Sequence, residues 1–225
     1  EKNYIKRSIE LTPEQKKIYN QLKKNAVALL DDMEMVSANA VITQLLRLHQ
    51  VSCGFVNTDE GDTVEIKNTR MSELLSILEE VNGKAIIWAN YRHDIMAIEM
   101  ELARAYGPSS VASYFGDTPG EERQDIVDRF QEDKDLRFFV GQPRTGGYGL
   151  TLTSANTVVY YSNSYDLEVR LQSEDRAHRI GQTSSVTYID IVAEKTVDEK
   201  IVTALRKKIN IATQVLGENW KKWLI

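Results

Sequence analysis

The sequence predicts an α/β fold in which helices cover a parallel β-sheet. From Met71 onwards, short apolar segments of strand length alternate with longer segments whose apolar residues recur at helical spacing. The short segments are mainly apolar, which is typical of strands that are buried on both faces. Strands that alternate with helices in this way pair in parallel, and the helices pack over the sheet that results.

The composition limits the class of protein. The chain has 225 residues, of which 42% are hydrophobic and 27% are charged, so it can bury a core and wholesale disorder is disfavoured. The net charge of -5 excludes a uniformly basic surface for nucleic acid but not a local basic groove. Cys53 and the three histidines lack metal-ligand spacing, so no metal site is predicted. No apolar run approaches the roughly 18 residues of a membrane span, and we expect no membrane partner.

Residues 1–70 are predicted to form a mainly helical segment. Thr12 and Gln15 have the spacing of a capping box at the start of one helix. A second helix is predicted over residues 41–51, and residues 57–62 have the composition of a polar turn or hairpin. This segment is expected to be an appendage to the main domain.

Residues 71–193 contain the alternating segments and are predicted to form the main domain. Strands are expected at residues 84–88, 111–115, 136–140, 157–161 and 186–192. Helices are expected at residues 72–81, at 94–106, after a capping box that begins with Thr118, and at 167–179.

Residues 194–225 are predicted to form a long helix and a tail. Thr196 and Glu199 have capping-box spacing, and the helix is expected to run toward Leu216. The lysines and tryptophans of the tail could grip phosphates, but a solvated amphipathic helix docked on the domain is favoured.

A glycine-rich loop follows the predicted strand that ends at Val140. Glycines at the carboxyl end of a parallel strand let backbone N–H groups approach a phosphate. The loop contains Gly141, Gly146, Gly147 and Gly149, but it lacks the Lys-Ser/Thr pair of a Walker A loop, and GxxxxGK[ST] occurs nowhere in the chain. On its own, the loop fits a turn built for tight packing equally well.

A second candidate site contains Gln172, Arg176 and Arg179. On a helix, this spacing places the three donors on one face, which suits a phosphate group. The alternative is a solvated face on which Glu174 and Asp175 neutralise the arginines.

The order of these motifs resembles the second RecA-like lobe of superfamily-two helicases over residues 72–205. The tract Asp175–Gln182 (DRAHRIGQ) resembles motif VI of the Swi/Snf family of ATP-dependent DNA translocases, and Thr145–Leu150 (TGGYGL) is similar to motif V. Residues 196–201 resemble the start of the C-terminal brace helix of that family. The resemblance implies a RecA-like, P-loop NTPase-like sheet flanked by helices, with an N-terminal helical extension and a C-terminal brace helix.

The resemblance also implies site residues and partners. ATP and Mg²⁺ would be bound mainly by a first RecA-like lobe of the same polypeptide, and this chain alone would be inactive. Arg176 and Arg179 would be the arginine fingers, supported in ATP binding by Gln172, Gly146, Gly147 and Gly149. The backbone of double-stranded DNA would be contacted by Asn90, Tyr91, Gly116, Arg123, Arg144 and Thr145.

Some residues depart from the pattern of that family. Gln142-Pro143 replaces the small hydroxyl residues common at the start of motif V, and Tyr165-Asp166 replaces the usual Trp-Asn-Pro. These departures favour a bacterial or phage-type protein acting in the cytoplasm, or in the nucleus if the source is eukaryotic. A lobe of a strand-separating DNA or RNA helicase and a catalytically silent DNA- or protein-binding module remain alternatives. Because the chain starts at Glu1 without a methionine, we expect a fragment of a longer protein.

Overall fold

A computed structural model describes residues 1–58, 60–145, 149–215 and 220–224. In this part of the chain the strands are β1 (Lys2–Ile9), β2 (Phe55–Asn57), β3 (Thr63–Glu65), β4 (Lys84–Trp88), β5 (Val111–Tyr114), β6 (Phe138–Gly141), β7 (Ala155–Tyr160) and β8 (Val186–Ala193). The helices are α1 (Pro13–Asp31), α2 (Ala38–Cys53), α3 (Arg70–Glu80), α4 (Arg92–Tyr106), α5 (Gly120–Glu132), α6 (Leu167–Glu174), α7 (Val197–Arg206), α8 (Ile211–Gln214) and α9 (Lys221–Leu224).

The main sheet has six strands in the order β1-β8-β7-β4-β6-β5 and is parallel, as the sequence predicts. The predicted strands correspond to β4, β5, β6, β7 and β8, with ends that differ by a few residues. Strand β4 lies between β7 and β6, and its residues Ala85, Ile86, Ile87 and Trp88 are fully buried. This burial explains why the segment is apolar throughout.

The chain divides into two compact units. The first comprises residues 1–7, 71–164 and 168–191, and the second comprises residues 8–70, 165–167 and 192–225. A buried cluster in the first unit joins side chains of the sheet to α5 and includes Trp88, Phe130, Phe139, Tyr160 and Tyr188.

In the second unit, α1 packs on α2, and β2 pairs with β3 as an antiparallel hairpin. The capping box of α1 is confirmed, since the side chains and backbone N–H groups of Thr12 and Gln15 bond reciprocally. The hydroxyl oxygen of Tyr19 accepts from the backbone N–H of Val197 at 2.8 Å, and burial raises the pKa of Tyr19 to about 12. Within the described residues, no helix combines the length and the apolar character that crossing a membrane requires.

Strand β1 is a feature that the prediction of a mainly helical first segment missed. It lies at one edge of the main sheet, where Val186 N–H donates to Glu1 O at 2.9 Å. Most of its side chains are exposed. An edge strand of this kind needs no apolar run, so the hydrophobic pattern gave no signal for it.

Four helix predictions were wrong in detail. The capping box predicted at Thr196 and Glu199 does not form, because the Thr196 hydroxyl accepts from Asp198 N–H and the Glu199 carboxylate accepts from Lys195 N–H, at 3.1 Å each. Helix α6 ends at Glu174 instead of Arg179. Helix α7 ends at Arg206, because Lys208 adopts a φ of 56° and Asn210 caps a separate short helix. The hydroxyl of Thr118 accepts from Phe115 N–H at 3.0 Å, so Thr118 closes the preceding loop and does not cap α5.

Gly141 ends β6 at a point of close packing. A Cβ atom there would lie 2.9 Å from Cζ3 of Trp88 and 3.0 Å from the carbonyl oxygen of Tyr114. The first glycine of the glycine-rich loop is therefore required by packing.

Candidate functional site

The predicted DNA-contacting residues lie at the carboxyl edge of the sheet. Asn90 and Tyr91 follow β4, Gly116 follows β5, and Arg144 and Thr145 follow β6. Because these strands pair in parallel and end in register, the three loops share one edge. The structure thus brings these predicted residues to one region of the first unit.

Gln142 links the ends of three strands at this edge. Its backbone N–H donates to Tyr114 O at 3.1 Å, and its side-chain amide donates to Asn90 O at 3.0 Å. Its Oε1 accepts from the hydroxyl of Thr145 at 3.1 Å. Gln142 therefore positions Asn90 and Thr145, two of the predicted DNA contacts. The sequence signal for this role was the departure of Gln142 from the pattern of motif V.

Arg123 builds the loop that contains Gly116. Its Nε donates to Thr118 O at 3.1 Å, and its Nη2 donates to Gly116 O at 3.3 Å. Its guanidinium also lies over the ring of Tyr114, 5.5 Å from the centroid. These contacts hold the loop in one conformation and leave Gly116 exposed at its tip.

Arg144 is exposed and Thr145 is half-buried. Gly146 and Gly147 lie outside the described residues. The same edge also carries Arg92, which sequence patterns did not indicate. Arg92 Nη2 lies 2.5 Å from Oδ2 of Asp117, so its charge is partly neutralised in a surface ion pair.

Residues 175–182, which we name the arginine segment, follow α6 in an irregular turn. A surface depression of about 680 Å³ is lined by Gln172, Asp175, Arg176, His178, Arg179 and Ile180. The three predicted donors therefore line one depression, although only Gln172 lies on the helix.

Arg176 is largely buried, and Arg179 is exposed. Burial and the neighbouring charge of Arg179 lower the pKa of Arg176, while Asp175 acts in the opposite direction. Two guanidinium groups that repel each other are stabilised when an anion binds between them. The depression is accordingly suited to a phosphate group.

The arginine segment contacts the end of the glycine-rich loop. Nη1 of Arg179 donates to the carbonyl oxygens of Gly149 and Leu150, at 3.1 Å each, and to the hydroxyl of Thr151 at 3.2 Å. Gly149 has a φ of +93°, a conformation that favours glycine. Nε2 of Gln182 donates to Ala155 O at 2.9 Å, which attaches the segment to the start of β7.

The acidic residues beside the arginines bond to other groups. Glu174 is buried, and its carboxylate accepts from Lys2, Tyr4 and Arg170. Asp175 accepts from Lys2 at 3.1 Å. The solvated face on which Glu174 and Asp175 neutralise both arginines is therefore disfavoured.

A buried ionic network supports α6 and was not indicated by the sequence patterns, although Arg170 and Glu174 have helical ion-pair spacing. Arg170 Nη1 donates to Oδ1 of Asp190 at 2.6 Å and to Oδ1 of Asn163 at 2.7 Å. Burial opposes its charge, but Tyr160, Asp190 and Glu174 raise the pKa of Arg170 above its ordinary value. The network fixes α6 and hence the start of the arginine segment.

The residues of the depression fit the phosphate groups of ATP, because they supply guanidinium and amide donors. In the part of the chain that the structure describes, no group of three or more histidine, cysteine or acidic side chains could hold a metal ion.

Two of the proteins that are similar in sequence illustrate the relationship. The ATP-dependent helicase fft2 of Schizosaccharomyces pombe is 29% identical over 82% of this chain. The human chromatin-remodeling ATPase INO80 is 32% identical over 73% of this chain. This chain spans 14% of the length of the first and 10% of the length of the second.

The fold is shared with a solved structure, the SWI2/SNF2 ATPase core of Sulfolobus solfataricus in complex with dsDNA. The TM-score is 0.76 and the sequence identity is 25%, with 97% of this chain and 47% of that chain covered. Residues 67–181 match the family described as the helicase conserved C-terminal domain. The chain therefore belongs to the helicase conserved C-terminal domain family and is a homologue of Snf2-family ATPases.

Proposed function

We propose that this chain is the second ATPase lobe of an ATP-dependent double-stranded DNA translocase of the Swi/Snf type. The arginine segment stabilises the transition state of ATP hydrolysis, and the loops at the carboxyl edge of the sheet hold the DNA backbone. The names of the relatives support this proposal, since one is a chromatin-remodeling ATPase and another is an ATPase core in complex with dsDNA.

The proposal depends mainly on one observation, the convergence of Arg176 and Arg179 on one depression. Guanidinium groups placed in this way stabilise the charge that develops on a transferring phosphoryl group. Gln172, held by a 3.0 Å bond to Glu168, supplies a further polar contact at the rim. When bound, ATP with Mg²⁺ supplies the phosphoryl group that is transferred to water. The first lobe of the same polypeptide makes most of the contacts to the nucleotide and its metal ion.

The carboxyl edge provides the second half of the proposal. Asn90, Tyr91, Gly116, Arg144 and Thr145 lie on neighbouring loops that Gln142 and Arg123 keep in place. Contacts from such loops to phosphates position a protein on DNA without reading its sequence. We therefore expect DNA binding that weakens steeply with salt and is independent of base sequence.

ATP turnover by the full-length protein tests the proposal. Turnover is measured without nucleic acid and then with duplex DNA, single-stranded DNA or RNA at matched salt. We expect duplex DNA to stimulate turnover most strongly. Stimulation by single strands or RNA instead would favour a strand-separating helicase, and no turnover under any condition would favour a catalytically silent binding module.

The isolated 225-residue chain is expected to show no magnesium-dependent ATP turnover, because it has no Walker A sequence. The full-length protein in the same preparation and buffer is the positive control. ATP turnover by the isolated chain that persists after further purification would contradict the proposal that hydrolysis requires both lobes.

A further inference from the structure

Strand β1 carries two side chains that reach the start of the arginine segment. The hydroxyl of Tyr4 donates to Oε2 of Glu174 at 2.7 Å. Nζ of Lys2 donates to the same oxygen at 3.3 Å and to Oδ1 of Asp175 at 3.1 Å. These contacts hold the two residues that immediately precede Arg176.

Glu174 is also held from its other side. Nε of Arg170 donates to its Oε1 at 2.8 Å, and the hydroxyl of Tyr188 donates to its backbone carbonyl at 2.7 Å. The ring of Tyr4 stacks on that of Tyr188, with centroids 5.3 Å apart. The side chain of Glu174 is only 6% exposed, so the bonds from Arg170 and Tyr188 to this residue are shielded from water and correspondingly strong.

The position of Asp175 affects the charge at the depression. Asp175 lines the depression and favours the charged form of Arg176, while its carboxylate is also bonded to Lys2. Lys2 therefore partly offsets the negative charge that Asp175 places beside Arg176.

The arginine segment needs such anchors because regular secondary structure does not fix it. Helix α6 ends at Glu174, and the segment continues as turns and bends. A group that stabilises a transition state loses effect when it is displaced by about 1 Å. Bonds at residues 174 and 175 restrict such displacement, because these two residues immediately precede Arg176.

We propose that Lys2 and Tyr4 are positioning residues that fix Glu174 and Asp175 and thereby hold Arg176 and Arg179 in their working orientation. This inference rests on the proposed function of the two arginines. It adds to that function a requirement for the first strand of the sheet, which lies about 170 residues away in sequence from the segment it supports.

The test uses the full-length protein with Tyr4→Phe or Lys2→Met. Tyr4→Phe keeps the stacked ring and removes one hydrogen bond. We expect kcat of duplex-stimulated ATP turnover to fall about three- to tenfold in each variant, with KM for ATP changed less than about twofold, because the lost interaction acts in the transition state. Lys2→Arg keeps the positive charge, so its kcat should stay within about twofold of wild type. Asn3→Ala, on the exposed opposite face of β1, is the control and should leave both constants unchanged.

Hydrogen exchange supplies a readout that is independent of catalysis. In the same proteins without nucleotide, we expect the amides of residues 175–182 to exchange at least about fivefold faster in Tyr4→Phe and Lys2→Met than in Asn3→Ala. Unchanged exchange would overturn the proposal. Faster exchange in these two variants together with a normal kcat would also overturn it, provided that Arg176→Ala inactivates the protein.

The two proposals fail in distinguishable ways. If Arg176→Ala leaves turnover intact, the proposed finger role is wrong, and the exchange rates alone decide whether β1 holds the segment. If Arg176→Ala abolishes turnover while Tyr4→Phe and Lys2→Met change neither exchange nor kcat, the finger role stands and the positioning role is wrong.

Discussion

Arg70 donates from Nη2 to Oδ2 of Asp198 at 2.6 Å, and both side chains are fully buried in the second unit. The backbone N–H of Ala193 donates to the same oxygen at 2.8 Å, and His49 Nε2 lies 3.4 Å from the other. Burial opposes the charge of Asp198, but Arg70 and His49 hold the pKa of its carboxyl well below the usual range. The folded protein therefore keeps this carboxylate ionised in acid.

The lowered pKa of Asp198 predicts a loss of stability in acid. The unfolded carboxyl titrates near pH 3.9, so the contribution of Asp198 is fully present above about pH 5 and declines as pH falls through about 4 and below. Asp198→Asn should lower the free energy of unfolding by about 3–5 kcal/mol at pH 7 and flatten its dependence on pH in that range. Urea unfolding of the 225-residue chain at several pH values measures both effects.

The surface pair of Asp31 and Lys221 provides the matched control. Its atoms lie 2.8 Å apart, but both side chains are about half exposed. Asp31→Asn should change the free energy of unfolding by less than about 1 kcal/mol at any pH. An Asp198→Asn protein that is as stable as this control would contradict the importance of the buried pair.

Removal of either arginine should abolish catalysis but not ATP binding. We expect Arg176→Ala or Arg179→Ala in the full-length protein to lower kcat at least about 100-fold, since arginine fingers contribute about 10³–10⁵. Affinity for ATP, measured with a fluorescent nucleotide, should change little, because in the proposed function the first lobe makes most of the contacts to ATP. Arg104→Ala removes a surface arginine bonded to Glu101 and serves as the control. Loss of nucleotide binding in a folded finger variant would contradict the assigned role.

Arg144 and Gln142 should affect DNA binding differently. Arg144→Gln is expected to reduce the slope of log affinity against log salt by about one, as loss of a single phosphate contact does. Gln142→Ala should weaken duplex binding without changing that slope, because Gln142 orders the loops and carries no charge. Anisotropy titrations of the full-length protein at several salt concentrations separate the two cases. Equal slopes in Arg144→Gln and wild type would exclude a phosphate contact at Arg144.

Gly141→Ala should destabilise the first unit. The added Cβ would meet Trp88 and the backbone of Tyr114 at distances near 3 Å, closer than ordinary contacts. Overpacking of this kind costs about 1–3 kcal/mol. Thermal unfolding of the chain measures the effect, and Gly116→Ala, where a Cβ meets nothing within 4 Å, is the control. Equal melting temperatures for the two variants would show that the sheet can shift at Gly141.

The sequence pattern predicted the central strands because burial on both faces makes them apolar. Strands β4, β6 and β7 illustrate this, since nearly all their residues are buried. Strand β1 was not predicted, because an edge strand is stabilised by pairing with its neighbour and needs no hydrophobic pattern of its own. Periodicity also could not place the end of α7, which depends on the backbone at Lys208.

The convergence of Gln172, Arg176 and Arg179 was predicted from helical spacing, although the helix ends before the two arginines. The tertiary contact of Arg179 with Gly149 and Leu150 produces the same convergence by another route. Tyr4 and Lys2, the proposed supports of the arginine segment, lie about 170 residues away from it in sequence. Only the folded sheet brings them near, so spacing along the chain carries no signal for them.

The placement of β1 beside β8 has a consequence for synthesis on the ribosome. The hydrogen bond from Val186 to Glu1 joins positions about 185 residues apart. At roughly 5–20 residues per second, β1 leaves the ribosome about 10–40 s before its partner exists. During that interval β1 is an exposed strand whose backbone groups can pair with other chains, and its lysines and arginine oppose such pairing through their charge. The charges that deprive this strand of a hydrophobic pattern are thus expected to oppose aggregation of the nascent chain.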